Sequence, residues 1–391
     1  MPELYAVPSE YFERIHHVRP RFKRNPEDIL LFMAEHVASL EPAPKDEFNA
    51  RLDAAIQLYP GNASREPKTI HNWRTEISAL FGLIEREGQE RHPGAMAMML
   101  AEHEDLIEFF RDFLLRFQYP GGHLKAYEAR EMIQAGIRFK PARYILEVLH
   151  EGSALLGREF SINKAEATHC IFNDLRVTRD RRSPHDTAQL ILTNRGRGLN
   201  YDWTGDVIRY AGDIIDYMVF GDLLERGPGS YYFANHQADP AIEVFLTDTG
   251  WFEPYERLYG VENLTLGAVS SVEEDWFHYA NSVLSGSTFE ANIEEILARQ
   301  PATAALPAGA LMQRVLELVT PGADIRRAEI GEIGEAVAVD HEKARLDGLD
   351  RHSLALKVVK LPNSYSMGYD INSYEGFGEL MRFIEVKTTV S

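Results

Sequence analysis

The sequence has 391 residues, 45% of them hydrophobic and 26% charged, with 41 Lys+Arg against 60 Asp+Glu for a net charge of −19. This composition excludes a collagen-like, mucin-like or wholly disordered chain, and the length predicts two or three domains. The acidic balance argues against nonspecific coating of nucleic acid. Binding nevertheless answers to the local field, which salt screens beyond about 8–10 Å, so where the cations sit matters more than their sum. No apolar run approaches the roughly 18 residues of a membrane span. Residues 1–20 carry Glu3, Glu10, Glu13 and Arg14 rather than a signal peptide. The single cysteine, Cys170, excludes an intrachain disulfide and a cysteine-based zinc site. A cytoplasmic protein with no membrane partner is the expectation.

Residues 1–155 read as a helical domain. Glu27–Leu40, Asp46–Leu58, Thr69–Glu85 and Ala95–Phe117 repeat apolar residues at three- and four-residue spacings, punctuated by Pro42–Pro44, Pro60–Gly61 and Pro120–Gly122. From Arg14 to Arg24 there are five Lys/Arg in eleven residues, with His16 and His17 among them. After a turn at Tyr59–Arg65, Pro67 suits a first helical turn, and Ile70, Trp73 and Ile77 would share one face. Lys68, His71, Asn72 and Arg74 would lie away from it. Donors presented outward from the second of two short helices are the pattern of a helix-turn-helix recognition helix, so these four are candidate DNA contacts. Asn72 and Arg74 are the best base-edge readers, since Asn pairs bidentately with adenine and Arg with guanine. An amphipathic surface helix with a solvated polar face carries the same pattern.

Residues 156–310 change character. Six arginines, Arg176, Arg179, Arg181, Arg182, Arg195 and Arg197, fall in one stretch against Asp180 and Asp186. Ser183 as N-cap, Pro184 in the first turn and Asp186 behind it predict a helix running toward Asn194. A longer helix is expected over Thr204–Leu224, then a Gly227-Pro228-Gly229 turn and a strand at Ser230–Phe233. Helices followed by a short aromatic strand pair fit a winged helix, and the six arginines are candidate DNA contacts. A charged loop beside an ordinary α+β domain is the alternative. Residues 299–310, small and proline-bearing, are the candidate boundary before a third domain at 311–391.

In that third domain Ala323–Leu346 reads as a helix containing Gly331-Glu332-Ile333-Gly334-Glu335 and His341-Glu342-Lys343, followed by a strand at Ser353–Lys360. Gly368-Tyr369-Asp370-Ile371 and Arg382–Thr389, joined through a Gly-containing turn, would form an antiparallel hairpin. Alternation along a strand puts Glu385 and Lys387 on one face and Ile384 and Val386 on the other. Asp370, at the start of the hairpin, can approach Glu385 across it. Two hard carboxylates with water suit Mg²⁺, which lowers the pKa of a bound water and neutralises phosphoryl charge. Lys387 could orient that water. A Glu-x-Lys on a strand is otherwise a common charge pair.

Gly-Glu-Ile-Gly-Glu, His-Glu-Lys-Ala-Arg-Leu, Gly-Tyr-Asp-Ile and Ile-Glu-Val-Lys-Thr-Thr, in that order over residues 323–391, resemble the PD-(D/E)xK nuclease superfamily, and within it the NO VEIN C-terminal-type domains of restriction and phage-defence proteins. The resemblance implies Asp370, Glu385 and Lys387 as the catalytic triad, with Asp370 and Glu385 on the metal and Glu335 as an accessory acid. It also implies that the nuclease fold continues with a helix and strand beyond Ser391, so that its C-terminal part is expected to be missing here. Phosphate-loop, zinc-protease and serine-hydrolase motifs are absent.

The expected fold class is therefore α+β: helical and winged-helix-like DNA-binding modules (1–155 and 156–310), then an α/β restriction-endonuclease-like domain (311–391). The expected function is a Mg²⁺-dependent, sequence-specific DNA endonuclease of a restriction or phage-defence system. It would act on double-stranded DNA, with a homodimer as one assembly that supplies two cuts. A non-catalytic sequence-specific DNA-binding protein with a structural nuclease remnant is the alternative, and an RNA-directed nuclease a weaker one.

Overall fold

Proline starts many of the helices. Pro26, Pro67, Pro141 and Pro184 are each the first residue of one. Their fixed φ suits the first turn, and no N–H is needed there. The computed structural model describes residues 3–15, 26–62, 65, 67–204, 208–282, 327–348, 351–360, 371–374, 381–384 and 386. It divides into two compact units, Met1–Glu290 and Ala291–Ser391. The basic residues 16–24 and the expected linker at 299–310 lie outside the described residues.

In the first unit, α1 (Pro26–Ala38), β1 (Ala43–Pro44), α2 (Lys45–Leu58) and α3 (Pro67–Thr75) lead to a π-helical turn at Glu76–Leu80. The strands β2 (Ile84–Glu87) and β3 (Glu90–Pro93) follow. The expected helix Thr69–Glu85 therefore stops at Leu80, and Glu85 lies in a strand. The sheet order is β1-β3-β2, all antiparallel, with Ala43 opposite Arg91 and Arg86 opposite Arg91 on the other side. The expected helix Ala95–Phe117 is two, α4 (Ala95–His103) and α5 (Leu106–Arg116). Glu104 takes a left-handed conformation between them, and the Asp105 side chain caps α5 by accepting from Glu108 N. α6 (Ala126–Gln134) follows.

A second stretch repeats the order. After α7 (Pro141–Leu156) come β4 (Ser161–Asn163), α8 (Lys164–Ala167) with a π-helical turn at Thr168–Phe172, α9 (Leu175–Thr178), α10 (Pro184–Gly196) and α11 (Arg209–Phe220). The hairpin β5 (Leu224–Arg226) and β6 (Tyr231–Ala234) closes it. The sheet order is again first-third-second, β4-β6-β5. Ser183 caps α10 as expected, accepting from Asp186 N at 3.1 Å. α12 (Asp239–Thr247), α13 (Leu266–Ser270) and α14 (Glu273–Asn281) complete the unit.

No break in the core accompanies the expected boundary at 155/156: one hydrophobic core runs from Ile15 to Phe277. Its centre is aromatic. Phe81, just past the π turn that ends α3, lies 5.1 Å from Phe113 and 5.8 Å from Tyr217, and Phe110 stacks on Tyr217 at 5.6 Å. Cys170 is buried in the same core, and burial pushes its thiol up to about 12. Among the described residues no helix is long and apolar enough to cross a membrane.

In the second unit, α15 (Arg327–Gly348) precedes a short helix, α16 (His352–Ala355), where a strand was expected. Leu354, Ala355 and Val358 recur at helical spacing and bury with Leu346, so packing on α15 decides the conformation. Strand remains only at β7 (Val359–Lys360), which pairs with β8 (Ile371–Tyr374), itself paired with β9 (Met381–Ile384). The expected hairpin is thus present, with Ile371 opposite Ile384, and Ile384 and Val386 pack on the apolar cluster.

Glu342 ties α15 to this sheet. It accepts from Ser373 Oγ at 2.6 Å and from Arg345 at 2.8 and 3.0 Å. Burial alone would raise its carboxyl, but hydrogen bonds from His341, Arg345 and Ser373 hold it well below the usual range. A depressed carboxylate contributes stability that is present above its unfolded pKa and lost as pH falls through the folded value. Glu342→Gln should therefore destabilise the chain at about pH 6, and the gap to wild type should narrow toward about pH 3. Urea titrations of both proteins across that range check this.

Candidate nucleic-acid interface

The amphipathic reading of α3 holds in the structure. Ile70, Trp73 and Ile77 are buried, with Trp73 against Tyr59 at 5.5 Å between ring centroids. Lys68 and His71 are exposed, while Asn72 and Arg74 are half-buried at the edge of a groove of about 540 Å³. Arg74 does not project freely. Its Nη1 donates to both oxygens of Asp53 on α2, at 2.8 and 3.0 Å, and His71 Nε2 lies 3.9 Å from the same carboxylate.

The groove is cationic. Lys45, Arg74, Arg86, Arg91 and Lys125 line it against Glu128 and Glu273, with Asn49 and Asn72 among them. Its walls are fixed. The turn of the β2–β3 hairpin needs the left-handed φ of 58° at Gly88. α14 grips this hairpin: Gly88 N donates to Glu274, Asn281 Nδ2 donates to Ile84 O, and His278 pairs with Glu85. Arg86 lies 3.7 Å from the centroid of the Phe277 ring and pairs with Glu273 at 2.7 Å. Asn72 Nδ2 and Arg91 Nε are buried without a hydrogen-bond acceptor among the described residues. Sequence reading reached Asn72 and Arg74 but missed Lys45, Asn49, Arg86, Arg91 and Lys125. They are scattered over 80 residues, and only the fold collects them.

The six arginines of 176–197 have different fates. Arg176 and Arg182 pair with Asp174, which is 0% exposed and caps α9. Arg195 donates to both oxygens of Glu166, itself 1% exposed, and lies between the Phe160 and Tyr231 rings. Arg179 pairs with its neighbour Asp180, and Arg197 lies 3.7 Å from Glu3. Arg181, in a left-handed conformation at φ 59°, has no carboxylate within ion-pairing distance among the described residues. With Arg182 it lines a second groove of about 490 Å³, beside Arg138, Lys140, Arg143 and Trp251.

Of the expected nuclease residues, Glu335 lies on α15 and pairs with Lys360 of β7. Asp370, Glu385 and Lys387 lie outside the described residues. Among the described residues, no three His, Cys, Asp or Glu side chains gather as a metal site.

The first unit thus joins short helices to two three-stranded antiparallel sheets and carries a cationic groove. The chain belongs to the family of the restriction endonuclease BpuJI N-terminal domain, whose model matches residues 5–277. A solved structure of the BpuJ1 endonuclease binding domain, in complex with pyrene- and phenanthrene-modified DNA, has a similar fold. The TM-score is 0.60 at 20% identity, and the match covers 71% of this chain and 100% of that one. No curated protein matches.

The two kinds of arginine separate experimentally. Arg195→Ala leaves Glu166 buried without its partner and should cost about 3–5 kcal/mol of unfolding free energy. Arg197→Ala, on the surface, should stay within about 0.5 kcal/mol. Urea denaturation of the full chain measures both.

Proposed function

We propose that this protein is a sequence-specific DNA endonuclease of a restriction or phage-defence system, cytoplasmic, in which residues 1–290 find the site and the C-terminal unit cuts. The observation that carries this reading is the donor-bearing face of α3 at the rim of a cationic groove, in a chain of a restriction-endonuclease family. The first-third-second strand order, formed twice around short helices, supports reading each stretch as a winged-helix module with α3 as the recognition helix of the first. Lys68, His71, Asn72 and Arg74 then face duplex DNA. Asn72 and Arg74 read base edges, the Asp53 carboxylate holding Arg74 in one orientation. Arg179, Arg181, Arg182 and Arg197 supply phosphate contacts from the second module, while Arg176 and Arg195 hold its loops in place through Asp174 and Glu166.

For the cutting unit, support comes from the PD-(D/E)xK-like motif order and from the hairpin register. Ile371 pairs with Ile384, and these two residues are flanked in the sequence by Asp370 and Glu385. Asp370 and Glu385 are oxygen donors suited to Mg²⁺, which would lower the pKa of a bound water and neutralise phosphoryl charge. Lys387 would orient the water, and Glu335 would act as an accessory acid. Two such sites in a homodimer would cut both strands.

Cleavage of plasmid DNA by the full chain with Mg²⁺ tests the reading. Asp370→Ala with Glu385→Ala should abolish cutting and leave duplex binding within about twofold, and Ca²⁺ should support binding better than cutting. Cleavage by that double variant at the wild-type rate would remove the nuclease assignment. Binding of a selected duplex without cleavage under any divalent ion would favour the non-catalytic DNA-binding reading.

A further inference from the structure

Arg86 and Arg91 are directly opposite each other in the β2–β3 register, so they share a face of the hairpin. Like charges in that position oppose strand pairing. Here both lie at the wall of the groove, and the Nε of each is buried without an acceptor. Arg86 has a carboxylate, Glu273, and an aromatic support, Phe277. Arg91 has neither. It is 8% exposed, and no carboxylate lies within ion-pairing distance of it among the described residues. Burial first, and then the Arg86 charge, bring its guanidinium down to about 10, with Arg74 adding to the effect and Glu273 and Asp46 opposing it. A buried cation facing a second cation is a costly arrangement that an incoming anion relieves.

We propose that Arg86 and Arg91 together grip one backbone phosphate of duplex DNA, an inference that rests on the DNA-binding reading above. A phosphodiester offers two anionic oxygens, which match the planar forks of two guanidinium groups. A concave groove suits the convex sugar-phosphate ridge, whereas base edges are reached by a protruding element such as α3. The hairpin is fixed by α14 at Gly88, Glu85 and Ile84, so the clamp is preformed and sets the register in which α3 meets the bases. Arg91 is then a positioning contact whose loss weakens every sequence alike.

The test uses the full chain and the duplex that the wild type selects from a randomised pool. Arg91→Gln should lower affinity about tenfold, and the slope of log affinity against log salt should become shallower by about one. Its unfolding midpoint in urea should be unchanged or higher, because a like-charge repulsion is removed. Methylphosphonate substitution at successive phosphates should reveal one position where the wild type loses affinity and Arg91→Gln loses no more. Arg91→Lys should restore part of the salt slope. A changed base preference with an unchanged slope would make Arg91 a base reader and overturn the proposal. So would a lower unfolding midpoint with the slope unchanged, which would make its role structural. Failure of the wild type to select any duplex would instead overturn the DNA-binding reading itself.

Discussion

Packing of Phe81, Phe110 and Phe113 against Tyr217 is the constraint on which the first unit depends. Phe81 closes the turn that ends α3, Phe110 and Phe113 come from α5, and Tyr217 comes from α11. Residues from both modules thus meet on one helix. Each aromatic pair adds about 0.5–1.5 kcal/mol beyond its buried area. The geometric effect is larger than that figure conveys. With the rings interdigitated, the end of α3 cannot rotate without displacing α11, so the two stretches with their short sheets are held together as one packed unit.

Within that frame, carboxylates decide what each cation is available for. Asp174 and Glu166 are so deeply buried that they would be unfavourable without Arg176, Arg182 and Arg195, whose guanidinium groups stay partly exposed beside them, Arg182 at the edge of the second groove. Asp53 does something different for Arg74. It is a quarter exposed and fixes the direction of a side chain that stays at the groove edge. An acidic chain of net −19 can in this way keep a locally cationic cleft, because among the described residues only two carboxylates, Glu128 and Glu273, line it.

Local signals were legible in the sequence. The buried face of α3, the Ser183 cap and the C-terminal hairpin follow from periodicity, capping chemistry and turn residues, all set within a few positions. What escaped the sequence depends on distant partners. The division of Ala95–Phe117 turns on one residue, Glu104, adopting a left-handed conformation that its type does not announce. Ser353–Lys360 looks like a strand until Leu354 and Ala355 find Leu346 to pack on. Arg195 reads as a free cation until Glu166, 29 residues earlier, is placed beside it. The groove residues Lys45, Arg91 and Lys125 carry no shared motif, since the fold alone makes them neighbours. The repeated strand order was equally invisible, because the two stretches share topology rather than residue pattern.

Cys170 has a practical consequence. Thiol chemistry runs through the thiolate, and this thiol is both walled off by the core and raised to about 12. The native chain should therefore react only slowly with maleimides and similar electrophiles at neutral pH. A single Gln89→Cys change, at the exposed hairpin tip, would carry a fluorophore or spin label with little background. The environment of that tip could then be followed in a protein whose core has not been altered.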